Sequence, residues 1–140
     1  MLRSSLSVFA AVLLTGCAAH PLKDFSTDGC SLFPDGNWCD CCRSHDEAYW
    51  RGGTQEERAA ADVKLRDCVL ARSGSKPLAE SMYYGVRGGG SPLFPTWYRW
   101  GYGWQYGRGY EPLSAGEQKD AVAKLAAYHA GHAPRACGAP

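Results

Sequence analysis

Three of the seven cysteines of this 140-residue chain lie within residues 39–42 (CDCC), directly before the pair His45-Asp46. Cysteines this close together restrict the backbone strongly once they are linked, because a disulfide holds two Cα atoms within about 4–7 Å of each other. The segment therefore predicts a covalent staple, a metal site or a catalytic site on one short stretch. The length of the chain predicts one small domain and not two.

The N-terminal residues have the pattern of a bacterial export signal. Met1-Leu2-Arg3 gives a positive start, and residues 4–14 (SSLSVFAAVLL) are apolar but shorter than the roughly 20 residues that span a bilayer. Residues 14–17 (LTGC) resemble the bacterial lipobox, which implies cleavage before Cys17 and its modification with diacylglycerol and a fatty acid such as palmitate. The alternative is an ordinary secreted protein that is cut near Ala18-Ala19.

Export would place the remaining six cysteines in an oxidising compartment, where an even number predicts three disulfides. Six cysteines can pair in many ways, and their order in the sequence does not select one. A zinc site on residues 39–42 is the alternative, but the segment lacks the second, spaced pair of ligands that such sites use. The six cysteines are Cys30, Cys39, Cys41, Cys42, Cys68 and Cys137.

Charge excludes one class of partner. The chain has 15 basic and 14 acidic residues, and removal of the signal would take away only Arg3 among them. A net charge near zero gives no electrostatic reason to expect a nucleic acid partner.

Two helices are predicted around the cysteine cluster. The first begins near residues 38–40 and runs to Trp50, and Gly52-Gly53 ends it. The second covers residues 55–72, and residues 54–57 (TQEE) form a capping box at its start. Because the connection is short, the two helices should form an antiparallel hairpin.

The second half of the chain predicts less regular structure. A short third helix is expected at residues 77–85, and a last helix at about 114–130 begins with the capping box of residues 114–117 (SAGE). Between them lies an aromatic segment, about 86–112, in which residues 88–112 are dense in Gly, Pro, Trp and Tyr and cannot form a regular helix. Trp and Tyr within this segment, over 97–110, either pack the core or form a surface that meets a bilayer.

His45 lies in the middle of the first predicted helix, and Asp62 lies in the middle of the second. In an antiparallel hairpin Asp62 would accept a hydrogen bond from the His45 ring and orient it as a base. The alternative for Asp62 is a surface carboxylate that pairs with Arg58 or Arg66 at helical spacing. Asp46 points about 100° away from His45 and is free to bind a cation.

Other polar residues are weaker candidates. Asp28-Gly29 supplies a carboxylate and a carbonyl that would suit calcium, although Asp28 could equally be a turn residue. Tyr49 either supports the site or belongs to the core. His129 and His132 stand three residues apart, but histidines at a helix end are commonly solvated and do not by themselves predict a metal site.

Three segments together carry a resemblance to a known family. Residues 41–49 (CCRSHDEAY) resemble the phospholipase A2 signature C-C-x-x-H-D-x-x-Y. The six-residue spacing from Asp62 to Cys68 matches that family's second catalytic helix. Residues 26–30 (STDGC) resemble the shortened calcium loop of its bacterial and fungal secreted members. The resemblance covers about residues 26–70, roughly a third of the chain.

The resemblance implies a calcium-dependent hydrolase of phospholipids. His45 would be the general base that deprotonates a water for attack on the sn-2 ester carbonyl, and Asp62 would orient it. Calcium would be held by the carboxylates of Asp28 and Asp46 and the carbonyl of Gly29, where it would bind the substrate phosphate and the developing oxyanion.

The resemblance also implies disulfide pairs. Cys30–Cys42 would fasten the loop to the first helix and Cys41–Cys68 would link the two helices, which leaves Cys39 for Cys137. Ala48 stands where the animal enzymes have a cysteine, and the larger animal calcium loop is absent. Both departures are those of the smaller bacterial type.

The expected protein is thus a mainly α, phospholipase A2-like lipoprotein. Residues 1–16 are the signal peptide, 17–27 a lipidated tether and 28–140 the domain, whose site hairpin covers about 28–73. Ala18 after the lipidated cysteine suggests the outer membrane, and we expect a monomer that faces the periplasm. The alternative function is a non-catalytic envelope lipoprotein that uses the same scaffold to bind a lipid or a protein partner.

Overall fold

The computed structural model describes residues 21–133 and residue 137, and these residues form four helices and no strand. The mainly α class is therefore confirmed. None of the helices in this part of the chain is long and apolar enough to cross a membrane. The predicted signal peptide and Cys17 lie outside the described residues. The helices are α1 (Cys39–Arg51), α2 (Gln55–Ser73), α3 (Lys76–Gly89) and α4 (Ala115–Gly131).

Both predicted capping boxes are present at the helix starts. Thr54 accepts from the Glu57 backbone N–H while the Glu57 carboxylate accepts from the Thr54 N–H, so α2 begins where its sequence indicates. Ser114 and Glu117 make the same exchange at α4. Helix α2 ends at Gly74, which has a left-handed backbone. Local signals therefore define α2 and α4 to within about one residue.

Helix α3 runs four residues beyond the expected end at residue 85. The extra turn contains two glycines, which are poor helix formers. The side chain of Arg58 donates to the carbonyl oxygens of Val86 and Arg87 at 2.9 and 2.8 Å. A buried guanidinium thus satisfies carbonyls that a helix end leaves without partners, and this tertiary contact extends α3.

The aromatic segment caps the C-terminal end of α1. The backbone N–H of Gly101 donates to the Tyr49 carbonyl at 2.6 Å, and that of Gly103 donates to the Trp50 carbonyl at 3.1 Å. The Trp104 indole N–H donates to the Arg51 carbonyl at 2.7 Å. Three carbonyls that α1 cannot pair within itself are therefore satisfied by an irregular segment.

The apolar side chains of the aromatic segment are divided between the interior and the surface of the domain. Trp100 and Trp104 are buried at 1% and 3% exposure and pack the interior. Leu93, Phe94 and Trp97 project into solvent with 72%, 52% and 66% of their surface exposed. One part of the segment is thus core, and the other is an apolar surface.

Residues 21–27 have no helix or strand, but they are not a loose tether. Leu22 and Phe25 are buried at 2% and 6% exposure. Phe25 meets the Trp50 ring edge-on at 5.6 Å between centroids, and the Trp50 indole N–H donates to the Lys23 carbonyl. The packed domain therefore begins by Leu22 and not at the expected residue 28, because two apolar side chains bury there.

The interior consists of two apolar clusters joined by α1. One lies between α1, α2 and α3 and is centred on Leu65, Val69 and Met82. The other packs the N-terminal segment, the end of α1 and α4 around Trp50 and Trp104. The three disulfides pair as expected, and the first two belong to the first cluster: Cys30–Cys42, Cys41–Cys68 and Cys39–Cys137.

A pair of glycine substitutions tests the packing at the end of α3. Gly90→Ala would place a Cβ 2.6 Å from the Tyr49 ring and 2.7 Å from the Val86 carbonyl oxygen. We expect it to lower the free energy of unfolding by about 1–3 kcal/mol, the usual effect of overpacking. Gly88→Ala, with nothing within 4 Å of the new Cβ, should instead raise it by about 0.5–1 kcal/mol. Urea denaturation of the oxidised proteins measures both, and equal effects would contradict the described packing.

Candidate functional site

The hairpin brings His45 and Asp62 together. His45 Nε2 lies 2.9 Å from Asp62 Oδ1, and the two residues are only 7% and 0% exposed. Asp62 is therefore not a surface carboxylate. It does lie near Arg58, whose Nε is 3.9 Å from Oδ2, but that arginine is itself buried. The predicted pair is present inside the protein.

Hydrogen bonds keep the Asp62 carboxyl group of this pair ionised. Burial opposes ionisation of Asp62, but hydrogen bonds from His45, Arg87 and Tyr49 outweigh it and hold the pKa of Asp62 below its ordinary value. A carboxylate can only accept, so His45 Nε2 must donate to it. His45 Nδ1 makes no hydrogen bond within the described part of the chain. That nitrogen is left to accept a proton.

Tyr49 belongs to the site as well as to the core. Its hydroxyl donates to Asp62 Oδ1 at 2.7 Å, and its ring centroid lies 4.1 Å from that of His45. Burial and the neighbouring Asp62 charge raise the pKa of Tyr49, so its hydroxyl stays a donor. Tyr49 therefore restrains both members of the pair.

An apolar cavity opens beside His45 and Asp46. Its volume is about 80 Å³, and it is partly open to solvent. His45 and Asp46 are at one part of the wall, while the remaining lining is mainly apolar. A polar reacting group and an apolar tail could thus bind together. The apolar lining includes Leu32, Phe33, Leu65, Met82 and Val86.

Asp46 is a buried carboxylate among other acidic groups. Burial raises its pKa to about 7, and the charges of Asp28, Glu47 and Asp35 add to the effect. Thr27 Oγ1 donates to Asp46 Oδ2 at 2.5 Å, which opposes the shift. No cationic side chain among the described residues forms an ion pair with Asp46. This environment favours a bound cation, because a cation would offset both the burial and the repulsion.

The other predicted calcium ligands lie in the adjacent loop, where Asp28 accepts hydrogen bonds from other side chains. The Asp28 carboxylate accepts from the Ser31 hydroxyl at 2.7 Å and from the Trp97 indole N–H at 3.4 Å. A Cβ on Gly29 would lie 2.7 Å from Asp35, whose carboxylate also accepts from the Cys30 N–H. In residues 21–133 and 137, no three acidic, histidine or cysteine side chains are gathered as a metal site. The oxygen donors suit calcium chemically, but the described arrangement does not assemble them.

Sequence reasoning missed several residues around the site. Thr27 and Asp35 lie in the loop beside Asp46. The acidic and hydroxyl-bearing residues of this loop were the one feature of the sequence that could have indicated them. The sequence predicts Arg58 only as a surface partner of Asp62. The two residues do pair at the helical spacing of four, but both are buried. Nothing in the sequence indicates that Arg87 reaches Asp62, because that contact depends on how α3 folds back.

The two histidines at the C-terminal end of α4, His129 and its C-cap residue His132, lie apart from the pair. His129 Nε2 is 3.2 Å from Glu47, and the His132 ring stacks on Tyr128. Both are exposed, in agreement with their interpretation as solvated helix-end residues.

The chain has no significant match among known protein families, curated proteins or solved structures. The function must be inferred from the geometry of the site itself.

Proposed function

We propose that this protein is a phospholipase A2-like enzyme that hydrolyses the sn-2 acyl ester of glycerophospholipids with the help of calcium. The observation that carries the proposal is the buried His45–Asp62 pair, whose histidine lies in the wall of an apolar cavity. The hairpin that presents the pair is held by disulfides on the loop side and between the helices. Such cross-links limit the movement of a site that is divided between a loop and two helices.

The chemistry assigned to the chain is general base catalysis. Nδ1 of His45 takes a proton from a water, and that water attacks the ester carbonyl next to the cavity. Asp62 accepts from Nε2, keeps the ring in the tautomer with a free Nδ1, and stabilises the imidazolium that forms. The same imidazolium then returns the proton to the departing alcohol oxygen.

Calcium would supply Lewis acidity toward the phosphate and the ester oxygen. Asp46 is the residue that would hold it most directly, with the Gly29 carbonyl and Asp28 as further oxygen donors. The support is chemical: Asp46 is buried beside acidic groups, and its pKa of about 7 reflects the cost of that charge. Few protein ligands imply weak binding, on the order of 10⁻⁴–10⁻³ M.

A lipid substrate is supported by the surface near the site. Leu32 lines the cavity and is 78% exposed, and the indole of Trp97 bonds to the adjacent Asp28. Exposed Trp and apolar side chains favour the boundary between water and a bilayer. We further propose that a lipid on Cys17 anchors the enzyme, because LTGC resembles a lipobox, and that it lies on the outer membrane facing the periplasm, because Ala18 follows that cysteine.

The test is release of sn-2 fatty acid from mixed micelles by the oxidised chain from Ala18 onward. We expect release with millimolar calcium and loss of release with a chelator. Asp46→Asn, which removes the charge but keeps the size, should raise the calcium concentration needed for half-maximal rate by at least about tenfold, the effect of losing a charged ligand of a weak site.

Asp67→Asn is the matched control, because Asp67 is an exposed carboxylate on the outer side of α2. It should leave the calcium requirement unchanged. No release from folded, oxidised wild-type protein would contradict the hydrolase. A search for bound lipid would then test the alternative of a binding protein.

A further inference from the structure

Arg87, in the last turn of α3, contacts the oxygen of Asp62 that the histidine does not use. Its Nη1 donates to Asp62 Oδ2 at 2.8 Å, whereas Oδ1 accepts from His45 and Tyr49. A carboxylate held at both oxygens cannot turn about its Cβ–Cγ bond without losing a hydrogen bond. Arg87 therefore fixes the plane in which Oδ1 meets the imidazole.

Arg58 holds the backbone of Arg87 in place. This buried guanidinium donates from Nη2 to the Val86 and Arg87 carbonyls. Its Nε donates to the Tyr49 hydroxyl at 3.1 Å, and its Nη1 donates to the Tyr110 hydroxyl at 2.7 Å. One rigid planar group thus ties the end of α3 to α1 and to the aromatic segment.

Neutralisation alone does not explain the second arginine. Asp62 carries one negative charge, and Arg58 already lies 3.9 Å from its Oδ2. The Arg87 side chain is 32% exposed, so its charge is partly screened by water and adds less to the neutralisation of Asp62 than that of the buried Arg58. The direct bond to Oδ2 comes from Arg87 and not from Arg58, so the added residue contributes orientation.

We propose that Arg87 is a positioning residue that orients Asp62 for His45, and that Arg58 positions Arg87. The inference rests on the proposed function, because it assigns a role within that site. With this role, the relative orientation of His45 on α1 and Asp62 on α2 depends on the end of α3.

The experiment compares Arg87→Ala with wild type in the micelle assay with saturating calcium. We expect kcat to fall by about 10- to 100-fold while KM changes little, because misorientation affects the base and not substrate binding. The Arg87 side chain is 32% exposed, so guanidinium ion added at non-denaturing concentration can reach the vacated space. It should restore part of kcat, and the same concentration of sodium chloride should not.

Arg66→Ala is the matched control. Arg66 has the same 32% side-chain exposure and pairs with Asp67 on the outside of α2. It should keep the wild-type kcat and show no response to guanidinium. Arg87→Lys, which keeps the charge but not the planar fork, should lie between wild type and Arg87→Ala. Circular dichroism tests whether each variant is folded. If Arg87→Ala does not fold, Arg87→Lys is compared with wild type in its place.

An unchanged kcat in folded Arg87→Ala would overturn the inference, as would a loss that guanidinium does not reverse. An inactive wild type contradicts the proposed function instead. In that case the positioning role is tested by the NMR chemical shift of the proton on His45 Nε2. It should shift in Arg87→Ala and stay in place in Arg66→Ala, and no shift in Arg87→Ala would overturn the positioning role.

Discussion

His45→Gln is expected to lower fatty acid release by about 10²- to 10⁴-fold, the usual contribution of a general base. Glutamine can still donate to Asp62 Oδ1 from its amide nitrogen, so the buried carboxylate keeps a partner. It has no basic nitrogen at the position of Nδ1 and cannot take a proton from water. The loss should appear in kcat at saturating calcium.

His129→Gln is the control for this variant. His129 lies on α4, exposed to solvent and paired with Glu47, so its replacement should leave kcat unchanged. Near wild-type release from His45→Gln would exclude His45 as the base. Equal losses from both variants would indicate a general effect of histidine removal and not catalysis at the pair.

Trp50→Ala is expected to lower the free energy of unfolding by about 3–5 kcal/mol, as for other buried aromatic residues cut to alanine. Trp50 is fully buried where α1 meets the N-terminal segment. Its removal would leave a cavity against Phe25 and Leu22 and would take the donor from the Lys23 carbonyl. Denaturant unfolding of the oxidised protein measures the change.

Trp97→Ala makes the same chemical change at a position that is 66% exposed. Its effect on unfolding should stay within about 0.5 kcal/mol, as is usual at surface positions. Should Trp50→Ala not fold, Trp50→Phe keeps the aromatic contact and removes the indole donor, and it should still be less stable than wild type. Equal stabilities for Trp50→Ala and Trp97→Ala would contradict the division of the aromatic residues into core and surface.

Local sequence signals were sufficient for most of the helical framework. Capping boxes depend on residues three apart and are readable from one sequence, so α2 and α4 begin where expected. The predicted end of α3 was wrong, because Arg58, which is distant in sequence, caps this end of the helix. Contacts of that kind depend on the finished fold and leave no local pattern.

The same distinction holds for the site. His45 faces Asp62 because both lie mid-helix in a hairpin joined by Gly52-Gly53, a geometry that spacing alone predicts. Arg87 could not be found, since its contact follows from the return of α3 across α2. The burial of Leu22 was equally hidden, because two apolar residues, Leu22 and Phe25, in so short a stretch are too few to establish a periodicity.

The burial of Leu22 limits how far the protein can reach. Cys17 precedes Leu22 by five residues, and a stretch of that length spans at most about 18 Å when fully extended. If Cys17 carries the proposed lipid, Leu22, and with it the α1 end, stays within roughly that distance of the membrane surface. Such an enzyme would work on the leaflet that anchors it and would not reach a second membrane across the periplasm.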